Sequence, residues 1–156
     1  MTKGIIAGLI LILALLGVAD AWYLAQSALS DTPLVCDIGG ALDGCNTVAQ
    51  SPYSHFFGVP LGVYGVFFYG LVFALAALSL VMRHRFIAPA MLALGTLGFL
   101  ASLVFVGIQL LLIKAVCLYC FGSAIIALLI WVLSLSFRRK DKEPVLQDWQ
   151  QEPVVS

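Results

Sequence analysis

Residues 115–137 read AVCLYCFGSAIIALLIWVLSLSF, a stretch without a single charged side chain. A helix that spans the hydrocarbon core of a bilayer needs ~20 consecutive apolar residues, so this stretch is long enough to cross it. Three similar runs precede it, at about residues 5–24, 59–82 and 86–113. None of them alternates polar and apolar residues as barrel strands do. The sequence therefore predicts an all-α integral membrane protein, a four-transmembrane-helix bundle.

The overall composition fits a protein whose solvent is lipid. Hydrophobic residues make up 62% of the 156 positions and charged residues only 10%. Soluble domains carry about 25% charged residues. The formal net charge is zero and no basic patch occurs, so the lipid bilayer is the expected surrounding and no nucleic acid is expected as a partner.

The basic residues are distributed asymmetrically about the four runs. With four spans, seven of the eight lie on one side of the membrane, and only Lys114 lies on the other. Cytoplasmic loops carry the excess of Lys and Arg, so both termini are predicted to be cytoplasmic. The long loop at about residues 25–58 then faces outward. The chain is expected in the cell inner (plasma) membrane as a multi-pass protein, with its cysteines at the periplasmic or extracellular face.

One motif would change the number of spans. Ala19-Asp20-Ala21 has the A-x-A form of a signal-peptide cleavage site after an apolar stretch. Cleavage there would leave three spans and the same outward loop. The tail at 141–156 is polar, contains two prolines and has no apolar period, which predicts a disordered cytoplasmic segment after a domain at 1–140.

Four cysteines are the most informative residues of the chain. Cys36 and Cys45 lie in the outward loop, and Cys117 and Cys120 form a C-x-x-C at the start of the last run. Disulfides persist in extracytoplasmic compartments, so two dithiols placed there can exchange electron pairs. Three other interpretations remain open: a structural loop disulfide, a pair of buried apolar thiols, and a zinc site made by all four cysteines.

Local features favour reactivity at two of these positions. The C-x-x-C cysteines are three apart and share one helix face, and the helix dipole and nearby Lys114 favour the thiolate of Cys117. In the loop, Gly39-Gly40 allows a chain reversal. Asp43 is a candidate N-cap for a short helix at residues 45–50, which would place Cys45 at a helix start.

A lipid-soluble two-electron acceptor would complete such a relay, and a quinone has these properties. Its carbonyl groups need hydrogen-bond donors, for which Ser51, Tyr64, Tyr69 and Tyr119 are available. For each tyrosine, packing or anchoring at the membrane interface is the alternative interpretation and the one that its residue type favours. Gly65 and Gly70 are candidates for leaving space for a flat ligand. The two histidines are too few for a histidine-based metal site, and no metal is predicted.

At this point the chain resembles the vitamin K epoxide reductase family, in its short bacterial form. The resemblance covers about residues 34–123 and the four-helix layout. It rests on four elements together: Cys36-Asp37-Ile38-Gly39, Cys45 followed six residues later by Ser51, Phe57-Gly58-Val59-Pro60, and Cys117-x-x-Cys120.

The resemblance implies a direction of electron flow. Cys36 would exchange with a thioredoxin-fold partner, Cys45 would carry electrons to Cys117, and Cys120 would face the quinone, which Ser51 would contact. Bacterial members reoxidise a DsbA-like protein and pass electrons to ubiquinone or menaquinone. Because no thioredoxin-like domain follows the fourth helix, the DsbA-like thioredoxin-fold partner is expected to be a separate protein.

Two other functions remain alternatives. One is the reduction of vitamin K quinone or epoxide by the same cysteines. The vertebrate enzyme has an asparagine where this chain has about Pro60-Leu61, and a tyrosine where it has Ala124. The other is a non-catalytic membrane scaffold with structural disulfides.

Overall fold

The computed structural model describes residues 3–36, 44–82 and 85–149, with the backbone alone at 140–149. The predicted chain reversal at Gly39-Gly40 and the predicted N-cap Asp43 lie outside the described residues. The N-cap position of the short loop helix is occupied by Gly44, which has no side chain with which to cap it.

Long helices account for most of the described chain. The helices are α1 (Lys3–Leu29), α2 (Cys45–Ala49), α3 (Leu61–Val81), α4 (Ile87–Ile108) and α5 (Leu118–Trp149). A π-helical segment, Gln109–Ile113, continues α4. Among the described residues, four stretches are long and apolar enough to cross a membrane: Lys3–Leu29, Leu61–Val81, Ile87–Ile113 and Leu118–Arg139. The predicted four-helix membrane bundle with a loop that carries a short helix is confirmed.

The bundle surface is apolar, as lipid requires. Large side chains on the long helices point away from the core, and Phe67 is 75% exposed and Leu97 61% exposed. Soluble monomers rarely expose contiguous apolar patches of more than a few hundred Å². These side chains therefore face the hydrocarbon of the bilayer.

Small residues bring α1 and α3 into the most extensive helix contact of the molecule. A Cβ added at Gly62 would lie 2.5 Å from the Ala25 backbone nitrogen, and one at Gly65 would lie 2.9 Å from the Ala21 Cβ. Glycine at such positions lets helix backbones approach closely in membranes. Gly70 has open space beside it, and its role of leaving room for a flat ligand stays a prediction.

The boundaries of the last helix differ from the prediction at both ends. Lys114 adopts a left-handed conformation, with φ 56°, and ends the π-helical segment, so α5 begins at Leu118 rather than at 115. At its other end α5 continues to Trp149, where we predicted a disordered tail from residue 141. The low hydropathy of residues 141–149 predicts no spanning helix there, and Pro144 lies within this helical stretch. Residues 150–156 lie outside the described part.

A small hairpin, which the sequence analysis did not predict, joins the loop to α3. Strand β1 (His55–Phe56) pairs antiparallel with β2 (Val59–Pro60). Phe57 and Gly58 between them both have positive φ, 50° and 78°, as a two-residue hairpin turn of the primed type requires. The hairpin directs the chain from the loop into the second long helix.

Buried residues form two separate clusters. The larger cluster lies between the long helices and includes Ile10, Val72, Met91 and Ile130. The smaller cluster lies where the loop covers one end of the bundle, and it contains all four cysteines. The candidate functional site therefore lies at this end of the molecule.

Candidate redox-active site

The two cysteine pairs differ in oxidation state. Cys36 and Cys45 form a disulfide, with their Cα atoms 6.2 Å apart. Cys117 and Cys120 are free thiols. Cys45 and Cys117 are almost completely buried, at 0% and 1% exposure. One oxidised and one reduced pair thus lie in a single packed cluster.

The loop is attached directly to the segment that leads into the C-x-x-C. The backbone N–H of Gly44 donates to the carbonyl of Val116 over 3.1 Å. A Cβ added at Gly44 would lie 2.7 Å from the Ala115 Cβ and 2.9 Å from the Val116 nitrogen. Only glycine allows this close approach. Cys45 directly follows Gly44 and Cys117 directly follows Val116, so the contact brings both cysteines to the lining of one cavity.

Asn46 ties together the two chain segments that carry the disulfide. The side-chain amide of Asn46 accepts from the Leu34 N–H over 2.8 Å and donates to the Leu34 carbonyl over 3.1 Å. Asn46 directly follows Cys45, and Leu34 lies two residues before Cys36. These two hydrogen bonds hold both arms of the disulfide at a fixed distance from each other.

Two tyrosines hold the next residue, Val35, against the helices. The Val35 N–H donates to the Tyr23 hydroxyl of α1 over 3.1 Å. The Tyr119 hydroxyl of α5 donates to the Val35 carbonyl over 2.9 Å. The two rings lie 5.0 Å apart between centroids. The backbone that precedes Cys36 is therefore bound to α1, α2 and α5.

The thiol of Cys117 has the properties of a nucleophile. The side-chain hydrogen bond from Cys120 is the main cause that lowers its pKa, to about 7. Burial raises the pKa, and backbone N–H groups of Cys120 and Tyr119 lower it. The Cys120 N–H lies 3.5 Å from the Cys117 Sγ. The predicted effect of the helix start on Cys117 is thus present, and the hydrogen bond from Cys120 adds to it.

Gln109 contacts both cysteines of the C-x-x-C from the π-helical segment. Its Oε1 accepts from the Cys117 N–H over 3.1 Å, and its side chain also hydrogen-bonds to Cys120. The residue is only 4% exposed. π-Helical segments inside helices are frequent at functional sites, and this one delivers a buried amide to the C-x-x-C.

Two cavities meet at Cys120. A loop-side cavity of about 80 Å³ is lined by Cys45, Cys117 and Cys120. A membrane-side cavity of about 120 Å³ lies between α1, α3, α4 and α5, and Cys120 and Ser123 line it. Leu24, Leu61 and Gly62 line both cavities. Cys120 thus faces the loop cysteines on one side and the membrane interior on the other.

The four residues nominated as hydrogen-bond donors to a quinone lie in different places. Ser51 donates to the Val48 carbonyl over 2.7 Å and lines a separate loop cavity. Tyr64 donates to the carbonyl of Phe56 in the hairpin over 3.0 Å. Tyr119 contacts Val35, as described above.

Tyr69 is the nominated residue that is connected to the membrane-side cavity. Its hydroxyl lies 2.7 Å from the Ser123 Oγ and 2.9 Å from the Ser123 carbonyl. Ser123 lines the cavity one helical turn after Cys120. Tyr69 and Ser123 thus form a polar pair beside the thiol.

Sequence reasoning missed Gly44, Asn46, Gln109 and Ser123. Two signals were available: Gln109 is the one amide in the third apolar run, and Ser123 lies three residues after Cys120. Gly44 and Asn46 gave no signal, because their roles depend on contacts across the fold. Among the described residues, no group of three or more His, Cys, Asp or Glu side chains is placed to hold a metal ion.

The fold and site define a class: an integral membrane protein in which a disulfide lies beside a reactive dithiol. Residues 8–135 match the model of the Vitamin K epoxide reductase family, which covers most of the chain. The chain belongs to this family and is a membrane thiol oxidoreductase; the family is linked to quinones in general. Comparison with curated proteins found no significant match.

Proposed function

We propose that this protein oxidises a separate, extracytoplasmic DsbA-like thioredoxin-fold partner and passes two electrons to a membrane quinone, ubiquinone or menaquinone. It would thereby support disulfide bond formation. The observation that carries the proposal is the oxidised Cys36–Cys45 pair beside the reduced Cys117 and Cys120 thiols in one buried cluster.

The first exchange takes place at the loop disulfide. A thiolate of the reduced partner attacks the Cys36 Sγ, the bond to Cys45 breaks, and Cys45 leaves as a thiolate. The second partner thiol resolves the mixed disulfide and leaves Cys36 reduced. The relative exposure supports this order, because Cys36 is 6% exposed and Cys45 is 0% exposed.

The second exchange passes the electron pair between the two cysteine pairs. When Cys117 and Cys120 are disulfide-bonded, the Cys45 thiolate attacks the Cys117 Sγ and Cys120 leaves. Cys36 then attacks Cys45, which restores the loop disulfide and leaves Cys117 reduced. The shared loop-side cavity supports direct transfer between the pairs, because Cys45, Cys117 and Cys120 all line it.

The membrane-side cavity has the chemistry that a quinone ring needs. Its lining is mostly apolar, with the Ser123 hydroxyl and the Cys120 thiol at one side. The volume of about 120 Å³ is smaller than the roughly 300–1,000 Å³ of ligand pockets, so it suits a flat ring with its tail left in lipid. Ser123, backed by Tyr69, would hold a ring carbonyl; a bound quinone supplies the two-electron acceptor.

The redox potential of the partner limits the choice of acceptor. A DsbA-type oxidant has a potential of ~−120 mV, and each ~30 mV corresponds to ~1.4 kcal/mol for a two-electron couple. Reoxidation of such a partner therefore needs an acceptor of comparable or higher potential. An oxidised quinone pool meets this requirement, and a glutathione-type thiol pool does not.

The test is to mix the purified protein anaerobically with a reduced DsbA-like partner and ubiquinone or menaquinone, following quinone absorbance. We expect Cys120→Ala to abolish quinone reduction while a disulfide-linked adduct between the partner and Cys36 still forms. Ser136→Ala, an exposed change in the same helix, is the matched control and keeps the wild-type rate.

Wild-type turnover in all four single Cys→Ala variants would contradict the proposal. Parallel reactions with vitamin K epoxide and a dithiol separate the family's other activity from this one. Reduction of the epoxide without oxidation of the thioredoxin-fold partner would assign the protein to that activity instead.

A further inference from the structure

Asp20 is a half-buried acidic residue within the contact between α1 and α3. It lies in α1, three residues after Gly17, which packs against the Tyr69 ring, and four residues before Leu24, which lines both cavities. Its Oδ2 is inaccessible to solvent and has no hydrogen-bond partner among the described residues. Ionisable residues inside membrane spans are costly and most often functional.

The Asp20 carboxylate acts electrostatically on the redox site. The titratable groups with which it interacts are Tyr69 on α3, Cys120 and Tyr119 on α5, and Cys117 just before α5. Its negative charge raises the pKa of Cys117, against the hydrogen bond that lowers it. Helix packing does not explain why an acidic residue occurs at position 20. An apolar side chain would fill this position without leaving a carboxylate oxygen that lacks a hydrogen-bond partner.

The proposed reaction creates a need for such a group. When the two thiols become the Cys117–Cys120 disulfide, they lose two electrons and two protons, and the acceptor gains both. The proton of Cys117 can leave through the loop-side cavity, which Cys117 lines. Cys120 also lines the membrane-side cavity. A proton that it releases on that side enters a region where water is scarce and where the acceptor needs protons.

We propose that Asp20 is the proton carrier of the membrane-side thiol: its carboxylate accepts the proton that Cys120 loses and holds it for the reduced acceptor. This inference rests on the proposed function. Asp20 returns to the carboxylate form when it releases the proton, so each turnover leaves its charge unchanged. The geometry that supports this role is the position of Asp20 in α1, directly before Ala21, which lines the membrane-side cavity, and one helical turn before Leu24, which lines both cavities.

One test follows the proton without any quinone. The reduced protein is oxidised with diamide, a thiol oxidant that takes up the two electrons and two protons, and infrared difference spectra are recorded in the region of the protonated carboxyl stretch. We expect a band that appears on oxidation, shifts in deuterium oxide, disappears in Asp20→Asn and remains in Asp31→Asn. Asp31 is the matched control, because it is exposed outside the spans. The absence of an Asp20-dependent band would overturn the inference.

A second test measures quinone reduction by dithiothreitol-reduced protein. We expect Asp20→Asn to lower the rate about 10²-fold, the lower range for a lost proton-transfer group, and Asp20→Glu to keep most of it. Asp31→Asn should keep the wild-type rate. If the wild-type protein reduces quinone and Asp20→Asn does so at the same rate, the role of Asp20 is refuted and the proposed function is not. If the wild-type protein does not reduce quinone at all, the proposed function is refuted.

Thermal stability distinguishes this role from a structural one. Removal of an unpaired buried carboxylate should leave the unfolding temperature of Asp20→Asn equal to or above that of the wild type. A variant that is both slow and less stable would indicate a structural role and would count against the inference.

Discussion

At the scale of single residues, Cys117 shows how local contacts make a thiol reactive. The hydrogen bond from Cys120 favours the charged form of its neighbour, because a donated hydrogen bond stabilises a thiolate more than a thiol. The thiolate is the attacking and leaving species in disulfide exchange. The rate of exchange at Cys117 should therefore rise as the pH passes through about 7 and level off above it.

This environment can be titrated directly. In a Cys36→Ser, Cys45→Ser background, we expect the ultraviolet absorbance of the thiolate to appear with a midpoint of about pH 7. Adding Cys120→Ala should raise the midpoint, because the thiolate loses its main hydrogen bond. A midpoint at the ordinary value of a cysteine, or one unchanged by Cys120→Ala, would contradict this account.

Lys114→Asn is the control in the same titration. Sequence reasoning assigned Lys114 a share in lowering the pKa of Cys117, whereas the groups found to lower it belong to Cys120 and Tyr119. Asparagine tolerates the left-handed conformation at this position and removes the charge. We expect the midpoint to stay where it is.

At the scale of elements, the contact between α2 and the entry to α5 determines whether the two cysteine pairs meet. The hydrogen bond from Gly44 to Val116 and the lack of a Cβ at Gly44 allow the loop to lie directly on this segment. In the proposed function, this contact is the place where electrons leave the loop.

We expect Gly44→Ala to slow electron transfer from partner to quinone about 10²-fold, as a displacement of ~1 Å at a reacting centre can. The added methyl group has backbone atoms of Val116 within about 3.0 Å and must push α2 away. Exchange between the partner and Cys36 should continue, which stopped-flow measurement of adduct formation would show.

Gly122→Ala is the matched control, because it makes the same change two residues after Cys120 with no atom within 4 Å of the new Cβ. Equal turnover in the two variants would show that this contact does not control the transfer.

The site shows which elements sequence reasoning can find. The four cysteines were found because their residue type and spacing carry their chemistry. The quinone donors were chosen by residue type alone, and the structure commits Tyr64 and Tyr119 to carbonyl groups of the hairpin and the loop. The roles of Gly44 and Asn46 arise only when distant segments pack together, so no local pattern could indicate them.

At the scale of the whole molecule, the bilayer made the fold predictable. A spanning helix must satisfy its own backbone, so length and hydropathy identify it without knowledge of its neighbours. Length and hydropathy do not predict the left-handed conformation of Lys114 or the hairpin turn at Phe57 and Gly58, because these features depend on a few backbone angles. The helical extension to Trp149 likewise lies outside what hydropathy can predict, because residues 141–149 are polar and include Pro144.

The orientation of the bundle in the membrane is a prediction that can be measured. In a variant with all four cysteines replaced by serine, we expect Tyr53→Cys to react with a membrane-impermeant maleimide in intact cells. Arg85→Cys should react only after the membrane is permeabilised. Both positions are exposed, at opposite ends of the bundle. The reverse labelling pattern would place the cysteines in the cytoplasm and contradict the proposed partner.

If the proposed function is correct, the fixed backbone before Cys36 has a consequence for the partner. Asn46, Tyr23 and Tyr119 hold Leu34 and Val35 whether or not the loop disulfide is closed, because none of their hydrogen bonds involves sulfur. After the disulfide opens, Cys36 and Cys45 remain at a high effective concentration relative to each other. The covalent complex with a partner is then short-lived, since Cys45 can return to Cys36 and expel a protein that cannot complete the exchange. This chain would thus select its partners by how quickly they react as well as by how well they bind.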